Sequence, residues 1–208
     1  MPHRLVPTRP DHPWALLGIA LMLCVTVTAC EDKVVTPTTP TETKTQVLVT
    51  TGGGSVQVPP PIPATGGTTS IEGEYQLTIT ASPTCSLPAE VTQRTYTATI
   101  AETTPGSVTV SLSGAAFVLT EVNEAGFEGV RNGDTVRFVI DNGYGPGYWL
   151  GEGIDGTKIL TFEGVALATI GDKNIEGTFY GEMRYFVPGQ RPWLGDCVAA
   201  DHRISLTR

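Results

Sequence analysis

From residue 73 onward, polar and apolar residues alternate along the chain. In Gly73–Thr80, the side chains of Tyr75, Leu77 and Ile79 fall on one face, and polar side chains fall on the other. A period of two with one apolar face is typical of a half-buried β-strand. The same alternation returns at residues 95–100, 108–112, 117–119, 136–140, 160–166, 175–185 and 202–206. Residues 71–208 are therefore predicted to form one all-β domain of eight or nine strands.

Turn-forming residues separate these stretches. Gly or Asn supplies the positive φ that tight turns need at residues 104–107, 123–126, 131–134, 141–143, 155–156 and 171–174. Only residues 83–93 leave room for a helical turn, with Pro88 near its start. Short connections between successive strands predict a meander, which closes either as an up-and-down barrel or as a two-sheet sandwich.

The long hairpin predicted at residues 158–186 favours the barrel. Its inward-facing row combines small and large side chains: Gly164, Ala166 and Ala168 on one arm, and Gly177, Phe179, Gly181 and Met183 on the other. Small barrels use such alternation to fit their taper, and glycines relieve the bends that closure demands.

The Gly73-x-Tyr75 opening followed by a meander resembles the lipocalin and avidin-like barrels. Tyr75 stands where many lipocalins carry Trp. The resemblance implies an up-and-down barrel, and the ligand-binding residues of those families do not carry over to this chain.

The N-terminus has the three parts of an export signal. Arg4 and Arg9 precede an apolar run at 14–27, and small residues follow it. A helix of about 14 residues spans roughly 21 Å, short of the ~30 Å hydrocarbon core, so a permanent transmembrane helix is not expected.

The end of this signal, Val27-Thr28-Ala29-Cys30, resembles the lipobox of bacterial lipoproteins. The resemblance implies that residues 1–29 are removed and that the Cys30 thiol carries a lipid. Two or three acyl chains, such as palmitate, then hold the protein to the cell envelope. The alternative is an ordinary signal peptide with a chance cysteine. Neither the membrane nor the leaflet is specified.

Residues 30–70 are predicted to be a disordered linker behind the lipidated cysteine. Thr-Pro repeats, Gly52-Gly53-Gly54 and Pro59-Pro60-Pro61 dominate it, and such composition buries little apolar surface.

Two cysteines, Cys85 and Cys197, remain in the mature domain once Cys24 is cleaved off and Cys30 is acylated. An even pair in an exported chain is most simply a disulfide. A metal-binding pair is the weaker alternative, because the only nearby ligand in sequence is His202. First and last strands are neighbours in a closed barrel, so a disulfide there fits that closure, although it would fit some sandwiches too.

The formal net charge of −8 argues against a nucleic-acid partner, and no basic run follows the signal. No Gly-x-Ser-x-Gly motif is present, and the carboxylates near Glu152 lack the spacing of a calcium loop. We therefore expect no enzyme activity, no cofactor and no metal.

Aromatic residues mark two loops as candidate ligand-binding segments. Tyr144, Tyr148 and Trp149 lie in a Gly-rich stretch, and Trp193 lies in Arg191-Pro192-Trp193-Leu194. If the two loops meet at one mouth of a barrel, they form a stacking platform or a lid. The alternative is that both tryptophans plug the end of the core.

Together these features predict a membrane-anchored lipoprotein that binds a small apolar or glycan ligand. The alternative is a structural or interaction protein with a filled barrel, bound to an envelope protein. A ligand cavity lined by Tyr75, Phe138, Phe179, Met183 and Trp149 would favour the first function, and a filled interior would favour the second.

Overall fold

The structure is a computed structural model that describes residues 54–118, 125–140 and 149–208, together with the strand at 46–49. The predicted signal at 1–29, Cys30, Tyr144 and Tyr148 lie outside the described residues. Within the described part of the chain, no helix has the length and apolar character needed to cross a bilayer.

The domain is built almost entirely from antiparallel strands. The elements are β1 (Gln46–Val49), β2 (Ser55–Val58), β3 (Gly73–Thr80), α1 (Ala89–Thr92), β4 (Gln93–Thr104), β5 (Ser107–Ser113), β6 (Gly126–Asn132), β7 (Thr135–Ile140), β8 (Leu150–Ile154), β9 (Lys158–Ile170), β10 (Asn174–Phe186) and β11 (Gly195–Thr207). The single helical turn, α1, falls in the one stretch where the sequence left room for it.

Eight strands close into a barrel, as the sequence predicted. The ring runs β3, β4, β5, β6, β7, β9, β10, β11 and returns to β3, with Ile204 of β11 opposite Ile79 of β3. One further strand, β8, lies outside the ring. It pairs with the first half of β9, whereas β7 pairs with the second half. Full closure leaves the ring with no free edge, which a two-sheet sandwich would have kept.

The barrel interior is filled by the apolar faces that the alternation predicted. One buried cluster includes Leu77, Phe138, Phe162, Met183 and Leu206. Aromatic rings meet edge to face inside it: Phe127 and Phe138 lie 5.4 Å apart, and Tyr96 and Phe162 lie 6.3 Å apart, between ring centroids. Edge-to-face ring contacts at these distances are typical of a close-packed protein core.

In the β9–β10 hairpin, small and large side chains combine along the inward-facing rows of the two strands, as predicted. Gly177 lies opposite Ala168, Phe179 opposite Ala166, and Gly181 opposite Gly164. The ring of Phe179 lies over both Gly164 and Gly181, because a Cβ on either glycine would come within 2.8 Å of its ring carbons. The glycines thus make room for the Phe179 ring.

The two ends of the barrel differ. At one end, tight turns at residues 105–106, 133–134 and 171–173 connect the strands. At the other end the connections are longer, at residues 81–92, 114–125, 141–149 and 187–194. We call these the turn end and the loop end.

The second half of the predicted linker differs from the expectation. Val56 and Val58 of β2 are buried, and they pack on Val165, Tyr180 and Val198 of the outer wall. Alternation of apolar and polar residues in Ser55–Val58, short though it is, gives the strand one apolar face for the barrel.

The chain then crosses to the turn end, where it covers a buried arginine. The Thr65 amide donates to the Arg131 carbonyl at 3.1 Å, and the Gly133 amide donates to the Gly66 carbonyl at 2.8 Å. Arg131 is fully buried beneath it, with its Nε donating to the Gly133 carbonyl at 2.8 Å and its Nη1 3.4 Å from Glu102. A Cβ at Gly67 would overlap the Arg131 guanidinium, so a larger residue there would displace the arginine side chain. We call residues 54–70 the strap.

Candidate functional site

Both predicted aromatic loops belong to the loop end of the barrel. Trp149 directly precedes β8, and Trp193 lies between β10 and β11. Strand register places them in one row across the outer wall, because Gly151 pairs with Thr161 and Thr161 pairs with Arg184. The indole of Trp149 packs on Gly151, and that of Trp193 packs on Arg184.

Gly151 and Arg184, the residues on which the two indoles pack, are two strands apart, which separates their backbones by about 10 Å. Both tryptophans are half-buried. Thr161, which lies between Gly151 and Arg184 in the row, is only 4% exposed.

Two cations cover the Trp193 ring. The guanidinium carbons of Arg184 and Arg191 each lie 3.9 Å from the ring centroid. Guanidinium groups stack favourably on indole, so this loop is held to the outer wall by cation–π contacts. The ring is thus engaged by the protein's own side chains.

A pair of carboxyl groups lies beside this row. Glu182 is 3% exposed and forms an ion pair with Arg184. Burial raises the pKa of the Glu182 carboxyl to about 7, and a hydrogen bond with Asp196 adds to this effect while Arg184 opposes it. Two close carboxyl groups that share a proton avoid placing two negative charges together.

Inside the loop end, a buried carboxylate is fully engaged. Glu152 of β8 is 2% exposed and points inward with Leu150. It accepts hydrogen bonds from Arg94 Nε at 2.8 Å, from Arg94 Nη2, and from the Tyr96 hydroxyl at 2.7 Å. The bond to Glu152 raises the pKa of the Arg94 guanidinium, and burial raises the pKa of the Tyr96 hydroxyl, so both remain protonated donors.

A second, more exposed network continues at the rim. The Tyr185 hydroxyl donates to Glu90 of α1 at 3.0 Å, and Lys158 lies 3.8 Å from Glu90 and 2.9 Å from Asp155. Hydrogen bonds from Thr157 and Lys158 lower the pKa of Asp155 to about 2. These contacts fix the short β8–β9 turn, where Asp155 has a φ of 48°.

The predicted disulfide between Cys85 and Cys197 is present, with Cα atoms 5.5 Å apart. It joins the connection after β3 to β11. His202 lies beside it, fully buried and 5.3 Å from the Phe179 ring centroid. Burial lowers the pKa of His202.

The five residues suggested as the lining of a ligand cavity do not all face the same side of the barrel wall. Tyr75, Phe138, Phe179 and Met183 belong to the packed core, each 5% exposed or less. Trp149 faces outward with Gly151, on the opposite side of the wall. The residues that the structure adds to the site are Arg94, Tyr96 and Glu182.

Their sequence signal was weak. Tyr96 falls within the strand predicted at residues 95–100, and Glu152 belongs to a group of carboxylates without the spacing of a calcium loop. The partner of Glu152 lies 58 residues away in sequence, and no local pattern joins Arg94 to it.

Chemically, the loop end offers a satisfied buried ion pair, an indole held by two guanidinium groups, and a carboxyl pair on the outer wall. Comparison with protein-family models, with curated proteins and with solved structures finds no match to this chain. The proposed function therefore rests on the sequence and on the geometry of the loop end.

Proposed function

We propose that this chain is an exported envelope lipoprotein, anchored through Cys30, whose barrel is a non-catalytic interaction module for a protein partner at its loop end. The observation that supports it is the contrast between interior and rim. The interior is occupied by the protein's own side chains, such as Phe138 and Phe179, whereas the long connections gather at one end.

A filled barrel is a rigid support for its loops. Loops on a rigid scaffold are the usual place for binding residues. Here Leu194 is 46% exposed at the end of the Trp193 loop, where its amide donates to the Tyr185 carbonyl at 2.9 Å, and the Arg184–Trp193 contact holds that loop in place. A pre-positioned apolar group at a polar rim is the pattern of a small protein contact surface.

The test is site-specific photocrosslinking in cells. A photoreactive residue at Leu194 should give one discrete protein adduct, and one at Asp172, exposed at the turn end, should give none. Equal adducts from both positions, or none from either, would contradict an interaction surface at the loop end.

A glycan ligand is the second candidate. It is favoured by Trp149, a half-buried aromatic residue on the outer wall, where Gly151 of the strand that follows it lies in one row with Thr161 and Arg184. Native mass spectrometry and titration with envelope polysaccharide fragments separate the two functions. Binding that falls about tenfold in Trp149→Ala but not in Leu194→Ala would establish the glycan function instead.

The anchor is tested separately. Cys30→Ser should move the protein from the membrane fraction to the soluble envelope fraction without changing the fold of residues 54–208. Retention of the variant in the membrane fraction would rule out lipid attachment at this cysteine.

A further inference from the structure

The disulfide between Cys85 and Cys197 lies beside His202, and all three residue types can bind a metal ion once the cysteines are reduced. The sulfur atoms of Cys85 and Cys197 and a ring nitrogen of His202 all lie within 4.8 Å of one another. Cys85 Sγ is 3.9 Å from His202 Nδ1. The three residues come from two segments more than 100 residues apart, and the closure of β11 on β3 brings them together.

His202 is held in the form that a metal ligand needs. The Ser82 amide donates to Nδ1 at 2.9 Å, so this nitrogen carries a lone pair and no proton. The proton therefore sits on Nε2, which faces the Gly181 carbonyl oxygen at 3.2 Å. Metal-binding histidines nearly always donate their second ring N–H to such an acceptor, which fixes the ring orientation.

The distances suit a tetrahedral site after a small movement. With Zn–S bonds of about 2.3 Å and Zn–N bonds of about 2.0 Å, a tetrahedral ion separates sulfur from nitrogen by roughly 3.6 Å and the two sulfurs by roughly 3.8 Å. The Cys85–His202 pair is already near the first value. Opening the disulfide lets the two sulfurs separate by rotation of their side chains.

We propose that, when the disulfide is reduced, Cys85, Cys197 and His202 form a binding site for a thiophilic divalent cation such as Zn²⁺. A dithiol reductant supplies two electrons and two protons, which convert the disulfide into two thiols while the dithiol itself becomes a disulfide. The cation then replaces the two thiol protons, which pass to solvent. Three protein ligands leave the fourth position for water.

The metal competes with one existing hydrogen bond. Nδ1 accepts from the Ser82 amide in the oxidised protein, and the same lone pair must turn to the cation. Metal binding therefore frees the Ser82 amide, so that its hydrogen exchange becomes faster in the metal-bound form than in the disulfide form.

The first experiment titrates the reduced mature chain with Co²⁺, using a phosphine reductant that does not chelate the ion. We expect one Co²⁺ per chain, with thiolate charge-transfer absorption and tetrahedral d–d bands, and complete displacement by Zn²⁺. The oxidised chain and Cys85→Ser should show neither band. His202→Asn should keep the thiolate absorption and lose at least tenfold in affinity.

Reduction that unfolds the chain still gives a decisive result. Refolding on addition of Zn²⁺, seen by circular dichroism, supports the site, because a site that forms only in the folded state couples binding to folding. A reduced chain that binds no more Co²⁺ than the oxidised chain, or that binds it with octahedral bands, overturns the proposal. An unchanged affinity in His202→Asn overturns the role of the histidine.

Discussion

At the scale of single residues, the ionisation of Glu182 is coupled to the fold near neutral pH. Its carboxyl is buried, paired with Arg184 and hydrogen-bonded to Asp196, and its pKa in the folded chain is about 7. The usual value is 4.5. The folded state therefore holds the proton more tightly than the unfolded chain does.

The sign of the pH effect follows from linkage. The stabilising contribution of the protonated Glu182 is complete below pH about 4.5 and is lost as the pH rises through about 7. Burial lowers the pKa of His202, which opposes this trend over part of the range, so the Glu182 component is measured as the difference between the wild type and Glu182→Gln. We expect the free energy of unfolding of the wild type, relative to that of Glu182→Gln, to fall as the pH rises through this range, by at most about 1.4 kcal/mol per pH unit. In Glu182→Gln this component should disappear.

Urea unfolding at several pH values between 4 and 8 measures the effect. Glu176→Gln is the matched control, since Glu176 lies on the outer face of the same strand but is exposed. Parallel pH profiles for the wild type and Glu182→Gln would contradict a buried carboxyl pair.

Among the elements, the β9–β10 hairpin depends on its glycines. A Cβ at Gly177 would overlap the Leu167 carbonyl oxygen and come within 2.7 Å of Ala168 Cβ across the strand pair. We expect Gly177→Ala to lower the free energy of unfolding by about 3 kcal/mol, because overpacking forces the two backbones apart.

The control for Gly177→Ala is Gly153→Ala, also in a strand. Its Cβ would come no closer than 3.3 Å to the Ala116 carbonyl oxygen. We expect it to cost less than about 1 kcal/mol. Thermal unfolding of the two variants gives the comparison, and similar losses would show that the close approach of β9 to β10 is not required.

The strap is the element most easily separated from the barrel. Val58→Asp places a charge against Val165 and Val198 on the outer wall, so β2 should detach while the barrel stays folded. Gln57→Asp, on the exposed face of the same strand, should leave β2 in place. Limited proteolysis within residues 54–70 should be much faster in Val58→Asp only; equal rates would mean that the apolar contact does not hold the strand.

At the scale of the whole molecule, the disulfide ties the first part of the barrel to its last strand. Cys85 and Cys197 are 112 residues apart in sequence, and removing such a link increases the entropy of the unfolded chain. We expect Cys85→Ala/Cys197→Ala to lose about 4 kcal/mol of stability while the barrel remains closed through β11–β3 pairing.

Urea unfolding of the double variant beside the oxidised wild type measures this loss. A change below about 1 kcal/mol would show that the closed ring alone restrains the chain ends.

The sequence by itself determined the local structure and much of the closure. Alternation such as that of Tyr75, Leu77 and Ile79 identified most of the strands, because side chains that alternate between two faces of a strand leave one face to be buried. It did not identify β6 or β8, which were not among the predicted strands. The alternation of small and large residues around Phe179 favoured a closed barrel over a sandwich, and the even pair of cysteines was consistent with either. The pairing of β7 and β8 with different halves of β9 was not predicted, because the residue pattern within a strand does not identify the strand that it pairs with.

Only the tertiary structure decided what the barrel contains and what covers it. Arg94 and Glu152 meet because β4 and β8 converge at the loop end, and the same convergence buries a charge that looked like a surface acid. Residues 54–70 read as a linker because their composition is poor in apolar residues, yet Val56 and Val58 find a complementary outer wall. Contacts between residues distant in sequence depend on the path of the whole chain, which no local periodicity specifies.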